Sequence, residues 1–282
     1  RICLVGSEMC IRDSISTMVG DLYQEGDNRR DGAFTIFYMG INLGALLAGV
    51  IAGSVTDEFG WKSGFIVAGI GMLISLVMQM SLAQSWLGDI GREPAAKRDL
   101  AIKKSSQKEP LTKEEFDRIK VILVMSLFTI VFWAGFEQAG GLMNIYTQQY
   151  TDRMIGGFEV PAAWFQSLNP FFIITLAPLL AVLWVKLGKR EPNSPVKFAL
   201  AMFFLALGFL CMVGAVMEQG GDTTVKTSML WLVGAFFFHT LGELCLSPIG
   251  LSLVTKLAPL RLASLMMGCL LYTSDAADEV LG

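Results

Sequence analysis

No charged residue occurs between Asp31 and Asp57, and gaps of this kind recur along the chain. An apolar run that long can form a helix of roughly 20 residues, enough to cross a hydrocarbon core of about 30 Å. Within such a core the backbone has no water to bond. A helix, which satisfies its own N–H and C=O groups, is the form open to a single run. The pattern predicts spans at 33–54, 63–84, 119–140, 168–186, 197–217 and 229–250, separated by charged blocks. A further run begins near Leu262 and gives way after Leu271 to Tyr272-Thr273-Ser274-Asp275. At roughly ten apolar residues it is too short to cross. The expectation is an all-α, polytopic membrane bundle of six full transmembrane helices plus the start of a seventh.

Composition supports that reading. The 282 residues are 53% hydrophobic and 17% charged, with a mean hydropathy of +0.54, whereas a soluble domain carries about 25% charged residues. The net charge of −3 indicates no particular partner, and no basic, aromatic-interleaved patch suggests nucleic acid. Cys3, Cys10, Cys211, Cys245 and Cys269 are scattered, so neither a disulfide framework nor a zinc site follows. His239 is the one histidine, which argues against histidine-cluster metal chemistry, and no cleavable signal peptide is recognisable.

The polar segment 85–118 carries Arg92, Lys97, Arg98, Lys103, Lys104, Lys108, Lys113 and Arg118. If this segment is cytoplasmic and the spans alternate, the opposite face holds only Lys62, Arg153 and Lys226. That asymmetry is the expected positive-inside bias. Leu111-Thr112-Lys113-Glu114-Glu115 predicts a helix start, with Thr112 as N-cap and Glu115 three residues on.

Gly40-x-x-x-Gly44 and Gly49-x-x-x-Gly53 place small residues on one face of the first span, where a neighbouring helix can come close. Asn42 is a polar amide inside that span, and an unpaired amide there is costly. Glu137 and Glu243 lie within apolar runs, with no basic residue within one turn of either. Intramembrane ionisable groups are functional candidates because they are expensive to keep there. A carboxyl group buried alone favours its protonated form, and a nearby cation favours the ionised one, which is the physical basis of a proton-coupled switch. The competing reading of each glutamate is a salt bridge locking two helices. Glu243 and Ser247 are four apart and share a helical face. His239 can be read as a proton shuttle or, more simply, as a helix-packing residue.

Phe34-x-x-Phe37-Tyr38-Met39-x-Ile41-Asn42-Leu43-Gly44-Ala45-Leu46 resembles a signature of the proton-dependent oligopeptide transporter (POT/PTR) family of the major facilitator superfamily. Phe132-Trp133-x-x-Phe136-Glu137-Gln138, Gln166-Ser167-Leu168-Asn169-Pro170 and Gly242-Glu243-Leu244-Cys245-Leu246-Ser247-Pro248 resemble motifs of its seventh, eighth and tenth helices. The resemblance spans 15–268 and implies a partial major facilitator fold covering helices five to ten. On that reading, 15–84 ends the first bundle, 85–118 links the bundles, and 119–268 begins the second. Residues 1–14 and 269–282 are expected to lie outside the family, and the chain to be cut at both ends.

The resemblance further implies proton-coupled symport of di- and tripeptides by alternating access. Asn42, Trp133, Asn169, Glu243 and Ser247 would contact substrate; Glu137 and Glu243 would take part in proton coupling. It implies a multi-pass protein of the cell inner membrane that functions as a monomer, needs no cofactor beyond the proton gradient, and meets small peptides and lipid. Alternatives are a facilitator for another small solute such as nitrate, or a membrane scaffold without transport. An embedded enzyme is disfavoured, since no nucleophile–base pair or metal cluster is visible.

Overall fold

The computed structural model describes residues 29–87 and 112–257. Its principal helices are α1 (Arg29–Phe59), α2 (Trp61–Leu87), α3 (Lys113–Phe136), α4 (Leu142–Tyr150), α5 (Leu168–Leu187), α6 (Ser194–Gln219) and α7 (Leu230–Leu257). Among the described residues, five stretches are long and apolar enough to cross a membrane: Ile36–Phe59, Trp61–Leu82, Lys113–Tyr150, Ala162–Leu187 and Ser194–Gln219. The expected sixth span corresponds to α7, whose apolar part among the described residues is Leu230–Leu246. The short run near Leu262, most of the 85–118 segment and both chain ends lie outside the described residues.

Local chemistry sets the helix boundaries. Thr112 accepts from the Glu115 N–H at 3.2 Å while Glu115 accepts from the Thr112 N–H at 2.9 Å. The expected capping box therefore forms and satisfies two otherwise orphan donors. Asn193 caps α6 by accepting from the Val196 N–H at 3.2 Å, with a proline in the first turn. A proline is tolerated there because its missing N–H would have had no partner in the helix. Gly220, in a left-handed conformation at φ 60°, ends the same helix.

Gly135 does not interrupt α3. α3 continues to Phe136, and a 3₁₀ turn, Glu137–Ala139, follows. Gly135 instead makes room for Leu205 of α6, whose Cδ2 would lie 3.0 Å from an added Cβ. The connection after this turn holds α4 and a small hairpin of β2 (Met154–Ile155) and β3 (Phe158–Glu159). Gly156 and Gly157, both at positive φ, turn the hairpin. β1 (Thr151–Asp152) pairs in parallel with β4 (Thr227–Ser228), tying this outer connection to the start of α7.

α6 lies along α7, α3 packs on both, and α5 packs on α7. Phe132, Phe198, Ala201, Leu205, Cys245 and Leu246 form one buried cluster of this group. α1 and α2 pair with each other, and α1 reaches across to α5 and the 3₁₀ turn Ala162–Ser167 that precedes it. Phe65 and Met72 of α2 are exposed by 73% and 75%. Such apolar surface belongs in lipid or against other helices rather than in water. Since lipid is as apolar as leucine, contact between the helices rests on close packing and hydrogen bonds.

Candidate functional site

Glu243 sits midway along α7 and is buried, with 8% of its surface exposed. Its neighbour Gly242 lets α7 come close to α3 and α6. A Cβ at Gly242 would lie 2.9 Å from the Ala201 carbonyl oxygen and 3.1 Å from the Phe132 ring. Close packing thus fixes the backbone that carries the carboxylate. Among the described residues, its hydrogen-bond partner is Asn169, whose Nδ2 donates to Glu243 Oε2 at 2.8 Å. Asn169 stands in the first turn of α5, just before Pro170, at the point where the 3₁₀ turn gives way to the α-helix.

The same Nδ2 donates to Thr240 Oγ1 at 3.1 Å. Thr240 is fully buried one turn before Glu243, and its hydroxyl donates to the Phe236 carbonyl at 2.7 Å. The result is a polar chain inside an apolar bundle: Glu243 and Thr240 accept from one amide, and the Thr240 hydroxyl donates to the backbone.

Asn42 comes to this site from α1. It is buried, and its Nδ2 donates to the Tyr38 carbonyl at 2.9 Å. The Tyr38 hydroxyl is a hydrogen-bond partner of the Asn42 side chain and lies within electrostatic reach of Glu243. Tyr38 and Asn42 thus face the side of the bundle that holds Glu243. Tyr38 lies inside the motif of α1 but has no role implied by the family resemblance. Four-residue spacing from Asn42 was the available signal, since it puts both on one helical face.

Glu137 begins the 3₁₀ turn after α3, is half-buried, and lies within electrostatic reach of Glu243. The turn is held by Gln166, whose Nε2 donates to the Ala139 carbonyl at 2.6 Å. Trp133 packs edge-on against Phe132 and Phe136, with centroid separations of 5.8 and 5.2 Å. Phe132 is the ring that abuts Gly242. Asn169 and Glu243 are thus joined directly, Tyr38 beside Asn42 and Glu137 lie within electrostatic reach of Glu243, and Trp133 stands one ring away. Ser247 follows Glu243 on α7, and its side chain lies outside the described residues.

His239 is buried between the rings of Phe209 and Phe136, at 5.0 and 6.2 Å between centroids. Its ring rests on Gly208 of α6, where a Cβ could not fit.

A second polar set joins α1 to the segment before α5. Trp164 Nε1 donates to Ser54 Oγ at 2.9 Å, and Ser54 donates to the Val50 carbonyl at 2.6 Å. Ser167 Oγ donates to the Leu46 carbonyl at 3.3 Å. A Cβ on Gly53 would lie 2.8 Å from the Ala163 Cβ, and one on Gly49 would strike Ser167 Oγ. Gly40 and Gly44 have nothing within 4 Å among the described residues. Of the two expected glycine pairs, the second is the one a neighbour uses here.

A sequence profile of the POT family matches residues 8–86 and 94–282. The match takes in 269–282 and 8–14, parts of the two end segments expected from the sequence to lie outside the family. The chain is 36% identical to the uncharacterized transporter YclF of Bacillus subtilis, over 99% of this chain and 65% of that protein. It is 34% identical to the peptide transporter YePEPT of Yersinia enterocolitica, over 95% and 63%. A crystal structure of a peptide transporter POT in complex with sulfate superposes with a TM-score of 0.83 at 34% identity, covering 95% of this chain and 64% of that one. The chain therefore spans less than two thirds of these relatives' length.

Proposed function

The chain belongs to the POT family and is a multi-pass protein of the inner membrane, and on that premise we propose that it serves proton-coupled symport of di- and tripeptides. The observation that carries this reading is the buried Asn169–Glu243 pair, 2.8 Å apart, with Asn42 and Tyr38 presented to it from α1. A peptide's ammonium group, stripped of water, needs an ionised carboxylate and amide oxygens within reach. Glu243, Asn169 and Asn42 supply both kinds of group from three helices. Trp133 would flank the ligand and Ser247 would lie beyond Glu243.

Proton coupling would act through the two glutamates. Like charges close together in a low-dielectric site disfavour double ionisation, so Glu137 and Glu243 suit an arrangement in which one carries a proton while the other is charged. The two groups of helices would rock about this midplane site, exposing it to one face at a time. The driving force would be the proton gradient, with no soluble cofactor, no enzymatic step and a monomer as the working unit. The names of YePEPT and of the di-/tripeptide transporter of Lactococcus lactis, 29% identical over 99% of this chain, support the same substrate class.

The test is uptake of a labelled dipeptide into proteoliposomes holding the full-length protein, with and without an inward proton gradient. Gradient-driven accumulation that Glu137→Gln uncouples, leaving exchange without accumulation, is the expected result. A folded protein that ignores dipeptides and transports nitrate would overturn the peptide assignment. Glutamine at both positions without any effect would point to a scaffold.

A further inference from the structure

We propose that Thr240 is a positioning residue for the substrate amine, acting through Asn169; this rests on the peptide-symport reading above. Three observations meet at one amide. Asn169 Nδ2 donates to both Glu243 Oε2, at 2.8 Å, and Thr240 Oγ1, at 3.1 Å. Thr240 commits its own proton to the Phe236 carbonyl at 2.7 Å. Thr240 is fully buried, so no water replaces either bond.

The donor count then fixes the amide's orientation. A threonine hydroxyl has one proton and two lone pairs. With the proton held by Phe236, Thr240 can only accept from Asn169, and the NH₂ group must face it. Both N–H bonds of the planar amide are engaged by Thr240 and Glu243, so Oδ1 is turned to the opposite side. That is where an acceptor is of use to an incoming ammonium or amide N–H.

The arrangement matters most when Glu243 carries a proton. A protonated carboxyl group is a donor, and a freely rotating asparagine would turn Oδ1 toward it and hide that oxygen from the ligand. With Thr240 in place, the turned amide would set its carbonyl against the threonine oxygen. Thr240 thereby keeps the asparagine oxygen available to substrate in both protonation states of the glutamate. It contacts no substrate itself.

The test measures the concentration dependence of dialanine uptake by the full-length protein in proteoliposomes, for wild type, Thr240→Val, Thr240→Ala and Thr240→Ser. Valine matches the threonine's shape. Alanine and serine differ from each other by one oxygen, so the comparison survives if valine fails to fold. Loss of one hydrogen bond should raise KM about fivefold in the valine and alanine variants with kcat largely kept, and serine should restore wild-type values. In an Asn169→Ala background, Thr240→Val should add nothing further. A valine variant with wild-type KM, or a full additional effect of valine in the Asn169→Ala background, would overturn the inference. Wild-type protein that takes up no dialanine would overturn the symport reading, and this inference with it.

Discussion

The seam between α1 and the segment leading into α5 and the contact between α6 and α7 both depend on glycine, yet they are built from different materials. Along α6 and α7, rings lie on the glycines. His239 rests on Gly208, and Trp231 comes within 2.6 Å of where a Cβ on Gly214 would be. Each ring contributes many small dispersion contacts, which have no equivalent once the helices part. Along the seam, Gly49 meets Ser167, Gly53 meets Ala163 and the edge of the Trp164 ring, and the bonds that cross it come from hydroxyl and indole groups. Each polar group there can exchange its partner for water at modest cost. One interface is made to stay closed, and the other can open without dismantling a core. Alternating access, as proposed, needs one of each.

The largest expected effect falls on the permanent interface. Gly242→Ala drives a methyl against the Ala201 carbonyl and the Phe132 ring, and backbone cannot yield as a side-chain tip can. Overpacking of this kind costs about 1–3 kcal/mol. The variant should melt several degrees lower in detergent, and an unchanged melting temperature would erase the contrast. Gly53→Val at the seam should leave melting nearly unchanged. It should, however, increase outside labelling of a cysteine placed at Ala162, in a background without the native cysteines.

A gentler change at the seam is Trp164→Phe, which deletes the bond to Ser54 and keeps most of the ring. Losing about 1 kcal/mol would shift the closed-to-open ratio roughly fivefold, read by the same labelling. The smallest effect concerns the turn between α6 and α7. There the hydroxyl and N–H of Thr224 hold the Asp222 carboxyl below its usual range. A carboxyl group lowered on folding stabilises above its unfolded value and loses that contribution as pH falls through the folded one. Melting of wild type should therefore decline slightly at acid pH relative to Asp222→Asn, since the asparagine does not titrate.

The spans were legible because a bilayer imposes one length and one polarity, and gaps such as Asp31 to Asp57 announce both. Glu243 and Glu137 stood out for the same reason, as charges where none is cheap. α4 and the hairpin after it were not legible, since short elements in a polar connection leave no comparable gap. The two glycine pairs of α1 have identical spacing, so only the neighbour's position distinguishes Gly49 and Gly53 from Gly40 and Gly44. Thr240 escaped notice because a threonine in a helix usually bonds its own backbone. It does so here, and its second role depends on Asn169, which arrives from another helix.

The central claim is that Glu243 recognises a substrate amine, and binding tests it most directly. Affinities of dialanine and N-acetyl-dialanine would be measured on wild type and Glu243→Gln in detergent. Wild type should prefer the free amine by at least about tenfold, equivalent to 1.4 kcal/mol, and the variant should bind both weakly and nearly alike. Equal binding of the two ligands by wild type, or a preference that survives in Glu243→Gln, would contradict the assignment.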